Sequence, residues 1–173
     1  MVRRAPHAVV ALAIALALIL AGAGCGSSAA ALGTPGSKVR DIDPATVPAT
    51  LNDLAVSHEN IRATLVKGQD TYLSAAGLFS MRRNDVVQAT LEVARFNGRA
   101  RLGDPRFRAA ILNDLGGGTP APVSVGTDTV YLTRGNKQRV YAWFRTQTLM
   151  VLSVRDDYDL PRALLRATLG VTA

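Results

Sequence analysis

Hydrophobic and polar positions divide the chain of 173 residues into three parts. An uninterrupted apolar run at 8–21 follows a short basic start, and a stretch of Gly, Ser, Ala and Pro without periodicity comes after it. Periodic patterns begin near Val47 and continue towards the C-terminus. The pattern therefore predicts a signal peptide at 1–24, a flexible spacer at 25–46 and one folded domain at 47–173.

Alternation of apolar and polar residues predicts that much of the domain is β-strand. At 86–96, aliphatic residues alternate with Gln88, Thr90 and Glu92, so we expect one face of this strand to be buried and the other to lie in water. The short sequences RRND, RGNK and RTQT mark tight turns between consecutive strands. The predicted strands are 47–56, 76–82, 86–96, 122–125, 129–133, 138–145 and 149–155.

Helical spacing of apolar residues predicts three helices. The first covers 58–66 with Ser57 as its N-cap, and the second begins after the N-cap Asp104. The third begins after the N-cap Asp159 and ends at Gly170. The prediction is an α+β fold, a mostly antiparallel sheet of about five to six strands with helices packed on one face.

The start of the chain has the features of an export signal. Arg3 and Arg4 precede the apolar run, and no acidic residue occurs before Asp41. A basic start, an apolar run of this length and small residues after it are typical of a secretory signal. The run is shorter than the ~20 residues of a spanning helix. Its extension through Gly24 leaves an uncleaved membrane anchor as an alternative.

The only cysteine, Cys25, lies directly after the apolar segment. Its context, Ala23-Gly24-Cys25, resembles the lipobox of bacterial lipoproteins, although Gly22 occupies a position where that family prefers Leu. The resemblance implies cleavage before Cys25 and its acylation, which would tether the chain to the extracytoplasmic face of the cell membrane. Cleavage after Ala23, within an A-x-A pattern, is the alternative and would release a secreted chain.

Three stretches of the domain, QATLEVARF, TVYLTRGNKQRVYAWFRTQTLMVLSVR and PRALLRATL, are similar to segments of uncharacterised actinobacterial lipoproteins. The order of the predicted elements over 47–169 also resembles the Mog1/PsbP-like sandwiches, which are binding or assembly modules. Neither resemblance supplies catalytic residues. Together they imply a non-catalytic binding module of the cell envelope.

The charge balance is modestly basic, with a net charge of +7 that becomes +5 without Arg3 and Arg4. Such a balance suits a protein that faces anionic lipid or anionic wall polymers. The chain lacks the dense basic stripe of nucleic-acid-binding proteins, so we expect no nucleic-acid partner.

The inventory of reactive residues favours binding over catalysis. Beyond the signal the chain has one histidine, His58, and one cysteine, Cys25, whereas a zinc site needs three or four ligands. The acidic sequences RDIDP and RDDYD are assigned to the spacer and to the start of the last helix. No G-x-S-x-G motif is present. We expect no enzyme, metal or cofactor, and an enzyme would need His58 in a polar cleft beside a serine or a carboxylate.

Two surfaces are candidates for binding. The loop NGRARLGDPRFR would present a group of arginines to anionic headgroups or phosphorylated wall polymers, or would be merely solvated. The strand RVYAWFR would present aromatic side chains to a partner, unless another segment covers that face. The predicted anionic contacts are Arg99, Arg101, Arg106 and Arg108. The predicted partner surface consists of Tyr131, Arg139, Tyr141, Trp143 and Arg145.

These observations support two hypotheses of function besides an enzyme. The first is a docking module of the envelope that uses the aromatic strand face. The second is a carrier of a small ligand or lipid, with a cavity lined by residues such as Leu91, Phe144 and Leu152.

Overall fold

The computed structural model describes residues 39–59, 72–115 and 118–171. These residues form nine strands, a short 3-10 turn at Pro44–Thr46 and two α-helices, α1 (Pro105–Asp114) and α2 (Pro161–Leu169). The strands are β1 (Arg40–Asp41), β2 (Thr50–Leu51), β3 (Leu54–Glu59), β4 (Leu73–Arg83), β5 (Val86–Phe96), β6 (Ala121–Val125), β7 (Asp128–Gly135), β8 (Gln138–Arg145) and β9 (Thr148–Arg155).

All nine strands belong to one sheet, with the order β2-β3-β4-β5-β9-β8-β7-β6. Neighbours along this order are antiparallel, and β1 pairs in parallel with the beginning of β4. β5 therefore lies in the centre of the sheet, between β4 and β9. The sheet has two ends: the near end, where β4 begins and β5 and β8 end, and the far end, where the β4–β5 and β7–β8 turns lie.

The hairpin turns follow from residues that tolerate a left-handed backbone. Asn84 and Asp85 in RRND both have positive φ, as do Asn136 and Lys137 in RGNK, which is the requirement of a two-residue type I′ turn. Thr146 in RTQT also has positive φ. The predicted turns are confirmed, and they set the register of the three hairpins.

The prediction of an α+β fold with five to six strands is wrong. The described residues form a larger, β-rich sheet of nine strands, and their two helices pack on opposite faces instead of one. The strand β3 contains His58 and Glu59, the first two residues of the predicted helix 58–66, whose other residues lie outside the described ranges. Two further strands, β1 and β2, are only two residues long and carry too little periodicity to be recognised in sequence.

The helix ends show one correct and one incorrect N-cap. Asp104 caps α1, because its Oδ1 accepts a hydrogen bond of 2.8 Å from the backbone N–H of Arg106. The N-cap of α2 is Leu160, without a side-chain hydrogen bond, because the carboxylate of Asp159 instead lies 3.2 Å from Arg83. Gly170 is the C-cap of α2, as predicted.

Both faces of the central sheet are covered. The first face carries Leu91, Trp143 and Leu152, and it packs against α2 and the segment before β3. The second face carries Ala142 and Val151, and it packs against α1. Since side chains alternate along each strand, the central strands contribute to both cores.

The N-terminal segment from Val39 to Thr46 falls within the predicted spacer, and in the structure it packs against the sheet. Ile42 is buried, and its backbone N–H donates to the carbonyl of Ala76 at 3.0 Å. Gly77 makes this approach possible, since a Cβ at that position would lie 2.8 Å from the Cβ of Ile42. Within the described ranges, neither helix is long and apolar enough to cross a membrane.

Candidate functional site

The predicted aromatic surface is covered. Tyr141 and Trp143 lie on the first face of the sheet, in the same core as Leu164 and Leu165 of α2. Trp143 is only 1% exposed, and its Nε1 has no hydrogen-bond partner among the described residues. The alternative in which another segment covers this strand face is therefore the one observed, and neither ring is available to a partner.

The other members of that predicted surface do not join the two rings. Tyr131 lies on the second face, where its ring meets Phe144 edge-on at 6.4 Å. Arg139 Nε lies 3.3 Å from Asp156 Oδ1. Arg145 donates to the backbone carbonyls of Leu169 and, at 3.1 Å, Val171, so it stabilises the C-terminal end of α2.

The predicted carrier cavity is also divided by the sheet. Leu91 and Leu152 are fully buried on the first face, where they form a cross-strand pair. Phe144 is half-buried on the second face. Because the sheet separates them, these three side chains do not line one cavity.

His58 lies beside a carboxylate, at the edge of a shallow groove. Its Nε2 is 3.0 Å from Asp41 Oδ1, and its ring meets Phe79 edge-on at 5.2 Å. The groove has a volume of about 430 Å³ and an otherwise apolar lining of Pro44, Ala45, Val47, Pro48, Ala49, Val56 and Phe79. Among the described residues, this lining contains no hydroxyl or thiol.

Metal ligands are not grouped in the described ranges 39–59, 72–115 and 118–171, where no three His, Cys, Asp or Glu side chains lie together. The aspartates of RDDYD are held by arginines: Asp156 pairs with Arg139, and Asp157 accepts from Arg155 Nε at 2.8 Å.

Glu92 is a buried carboxyl that the sequence pattern assigned to a wet face. It lies on the second face of β5, opposite Leu78 of β4 and Val151 of β9, and only 6% of it is exposed. Burial raises the pKa of Glu92 to about 7. The hydroxyl residues Ser80, Thr133 and Ser153 are also buried on this face.

The far end of the sheet holds arginines in ion pairs. Arg83 pairs with Asp53 and Asp159, and its guanidinium lies 5.1 Å from the centre of the Tyr158 ring. The Tyr158 hydroxyl donates to Asp53 Oδ1 at 2.7 Å. This hydrogen bond, together with Arg83, lowers the pKa of Asp53. These groups form one network of ion pairs and hydrogen bonds, in which two carboxylates contact one guanidinium.

The near end presents arginines for which the described part of the chain supplies no such partners. Arg99, Arg101 and Arg106 are exposed, as is Arg95, which stands opposite Thr148 at the end of β5 and was not among the predicted contacts. None of these four side chains forms an ion pair or a hydrogen bond with a described residue. We call this group, Arg95, Arg99, Arg101 and Arg106, the arginine end.

Arg108 does not belong to the arginine end, because its side chain is bound within the domain. Its Nε donates to the carbonyl of Leu102, and its guanidinium lies 5.2 Å from the centre of the Phe144 ring. These contacts join α1 to the second face of the sheet. Of the four predicted anionic contacts, three therefore have exposed side chains without an ion pair or hydrogen bond to a described residue.

Arg106 occupies a position that does not favour helix stability. It follows Pro105 in the first turn of α1, where the helix dipole favours acidic side chains, and the first turn contains no acid. Its backbone N–H donates to the carboxylate of Asp104, and Arg162 occupies the same position after Pro161 in α2, so this position by itself does not indicate a site.

Comparison with known proteins gives no relative for this arrangement: no protein-family model, no curated protein and no solved structure matches the chain.

Proposed function

We propose that the protein is an exported, non-catalytic binding module of the cell envelope, tethered to the membrane through Cys25, which binds an anionic component through the arginine end. The signal pattern and the position of Cys25 support the tether. The arginine end supports the binding.

The observation that carries the proposal is the grouping of four exposed arginines at the near end of the sheet. Arg95, Arg99, Arg101 and Arg106 form no ion pair with a described residue. At the far end, Arg83, Arg139 and Arg155 face carboxylates, and the exposed cations Arg134, Lys137 and Arg162 serve as the comparison for the near-end group. Exposed guanidinium groups match the geometry of phosphate oxygens and can donate two parallel hydrogen bonds to them.

The tether is tested by the mass of the mature chain. Wild type, expressed in an actinobacterial host, should begin at Cys25 with acyl chains attached and should partition into detergent. The Cys25→Ala variant should lose both the added mass and the partitioning. A wild-type product that begins at Gly24 and stays in water would overturn the tether.

The binding is tested in the Cys25→Ala chain, which removes the contribution of acyl groups. We expect it to be retained on phosphocellulose and to elute at lower salt when Arg99, Arg101 and Arg106 are all replaced by Glu. The matched control replaces Arg134, Lys137 and Arg162 by Glu. These three residues are exposed elsewhere on the domain, and their replacement changes the net charge by the same amount. Arg162 follows Pro161 in α2 as Arg106 follows Pro105 in α1. Equal elution of the two variants would contradict a localised site.

A second candidate function is supported by the groove beside His58. Its apolar lining favours binding of a small apolar ligand. Ala49 is exposed and lines the groove, so Ala49→Trp should fill it without disturbing the core. Loss of the binding of an apolar fluorescent dye in this variant, with unchanged thermal stability, would support the groove. Unchanged dye binding would exclude it.

A further inference from the structure

We propose that the arginine end is held against an anionic lipid bilayer, so that the domain stands on the membrane with its near end down. This inference rests on the proposed tether at Cys25. It adds that the anionic partner is the lipid headgroups and that the domain has a preferred orientation on the membrane. It follows from the place where the tether enters the fold.

The tether enters at the same end of the sheet as the arginines. β1 pairs in parallel with the beginning of β4, with Arg40 opposite Ala75, so Val39 precedes it at the near end. β5, which is antiparallel to β4, ends at this same place, with Phe96 opposite Leu73. The loop that carries Arg99 and Arg101 continues directly from that strand.

A shared cluster fixes the two features to each other. Val39 and Leu102 are both buried in the second core, together with Phe96 and Ile111. Leu102 lies between the exposed residues Arg101 and Gly103 of the arginine loop. Val39, the first described residue, and the arginine loop therefore pack on the same core. Their relative positions are fixed by that core.

The length of the tether keeps the near end close to the bilayer. Fourteen peptide units separate Cys25 from Val39, and a fully extended chain of this length spans at most about 50 Å. The anionic surface potential acts over about a Debye length, ~8 Å at physiological salt. A tethered domain enters that layer repeatedly. Its near end, which carries the arginine end, approaches the bilayer first because the tether is attached there.

Carboxylates at the near end offset this charge only in part. Asp104, the N-cap of α1, keeps its negative charge beside Arg106, and Asp128 lies 3.8 Å from Arg145. Next to the tether, Asp41 is paired with His58, while Arg40 is exposed and adds to the positive charge. A basic residue near an anionic bilayer contributes about a fivefold preference. The near end, with Arg40, has two exposed cations more than the three at the far end, Arg134, Lys137 and Arg162, so the near-end-down orientation should be favoured by about 25-fold.

The test measures orientation on vesicles with the full-length, acylated chain, whose only native thiol is blocked. Fluorescent labels are placed at Gly103→Cys, where an added Cβ meets no atom within 4 Å, or at the exposed Ala163→Cys in the first half of α2. Vesicles of equal parts phosphatidylglycerol and phosphatidylcholine carry a quencher on the headgroup. The label at 103 should be quenched strongly and the label at 163 weakly.

The controls identify the cause of the orientation. The difference between the labels should vanish when Arg99, Arg101 and Arg106 are replaced by Glu, and in 1 M salt, where the Debye length is ~3 Å. It should persist when Arg134, Lys137 and Arg162 are replaced by Glu. The same difference on pure phosphatidylcholine would overturn the role of anionic lipid.

Flotation separates failure of the orientation from failure of the tether. A chain that floats with the vesicles while both labels are quenched equally would overturn the inference and leave the tether standing. A chain that does not float would overturn the tether and, with it, the proposed function.

Discussion

The two faces of the central sheet are both buried, yet they are built from different side chains. The first face is mostly apolar, with Leu91, Leu152 and Trp143 under α2. The second face, under α1, contains buried polar residues, among them Glu92, Ser80 and Thr133. Strands β5, β8 and β9 contribute to both, so the difference lies in alternate residues of the same strands.

The difference explains why alternation predicted a wet face. Gln88, Thr90 and Glu92 alternate with aliphatic residues, which is typical of a strand with one side in water. Glu92 is nevertheless buried, because β4 and β9 flank β5 and the second core extends over both. Polar side chains on a central strand can thus belong to a second core, where their burial costs folding free energy.

The largest effect is expected on the first face. Trp143→Ala removes a ring that is 1% exposed and should lower the free energy of unfolding by about 3–5 kcal/mol. Urea denaturation of the Cys25→Ala chain measures it. Val123→Ala, at a side chain 38% exposed on the edge strand β6, should cost less than about 0.5 kcal/mol. Equal losses in both variants would contradict a packed first face.

The second face should make stability depend on pH. Folding raises the pKa of Glu92 from 4.5 to about 7, so the folded state binds a proton more tightly than the unfolded state. This stabilisation is fully present below about pH 4.5, falls as pH rises towards 7 and is lost above it. Because one pKa unit corresponds to about 1.36 kcal/mol, the free energy of unfolding should fall by about 3 kcal/mol over this range.

Glu92→Gln should abolish that decline, measured as urea midpoints between pH 4.5 and pH 8. The control is Asp85→Asn, at an exposed turn position with positive φ that Asn tolerates, and it should keep the decline. A wild-type protein whose stability rises over this range would show that Glu92 is not buried as a carboxyl.

The smallest effect distinguishes two hydroxyls of the second face. Thr133 Oγ1 is buried without a hydrogen-bond partner among the described residues, so Thr133→Val should raise stability by up to about 1 kcal/mol. Ser80 Oγ donates to Glu59 at 2.7 Å, and Ser80→Ala should lower stability by about 1 kcal/mol. Thermal midpoints of the two variants should move in opposite directions. A shift in the same direction would contradict the difference in hydrogen bonding between the two hydroxyls.

Local chemistry was predictable where it depends on neighbouring residues. The turns at RRND and RGNK, the Asp104 cap of α1 and the long strands β5, β8 and β9 agree with their patterns. The cap at Asp159 was wrong, because Arg83, 76 residues away, binds its carboxylate. The number of strands was wrong because short edge strands exist only through pairing with β3 and β4.

For the candidate site, the sequence identified a group of arginines but could not sort its members. Arg108 was included although its guanidinium contacts the carbonyl of Leu102 and the ring of Phe144. Arg95 was omitted although it is exposed at the same end. Exposure of an arginine depends on which carbonyls and rings the fold brings near it, and those neighbours come from distant segments.

The turns, most strands and the cap of α1 could be placed from the sequence, because they depend on backbone preferences over a few residues. The burial of Trp143, the burial of Glu92 and the entry of the chain beside the arginine end follow only from the fold. Each of these depends on pairing between strands far apart in the chain, and such pairing determines which surfaces remain exposed to solvent.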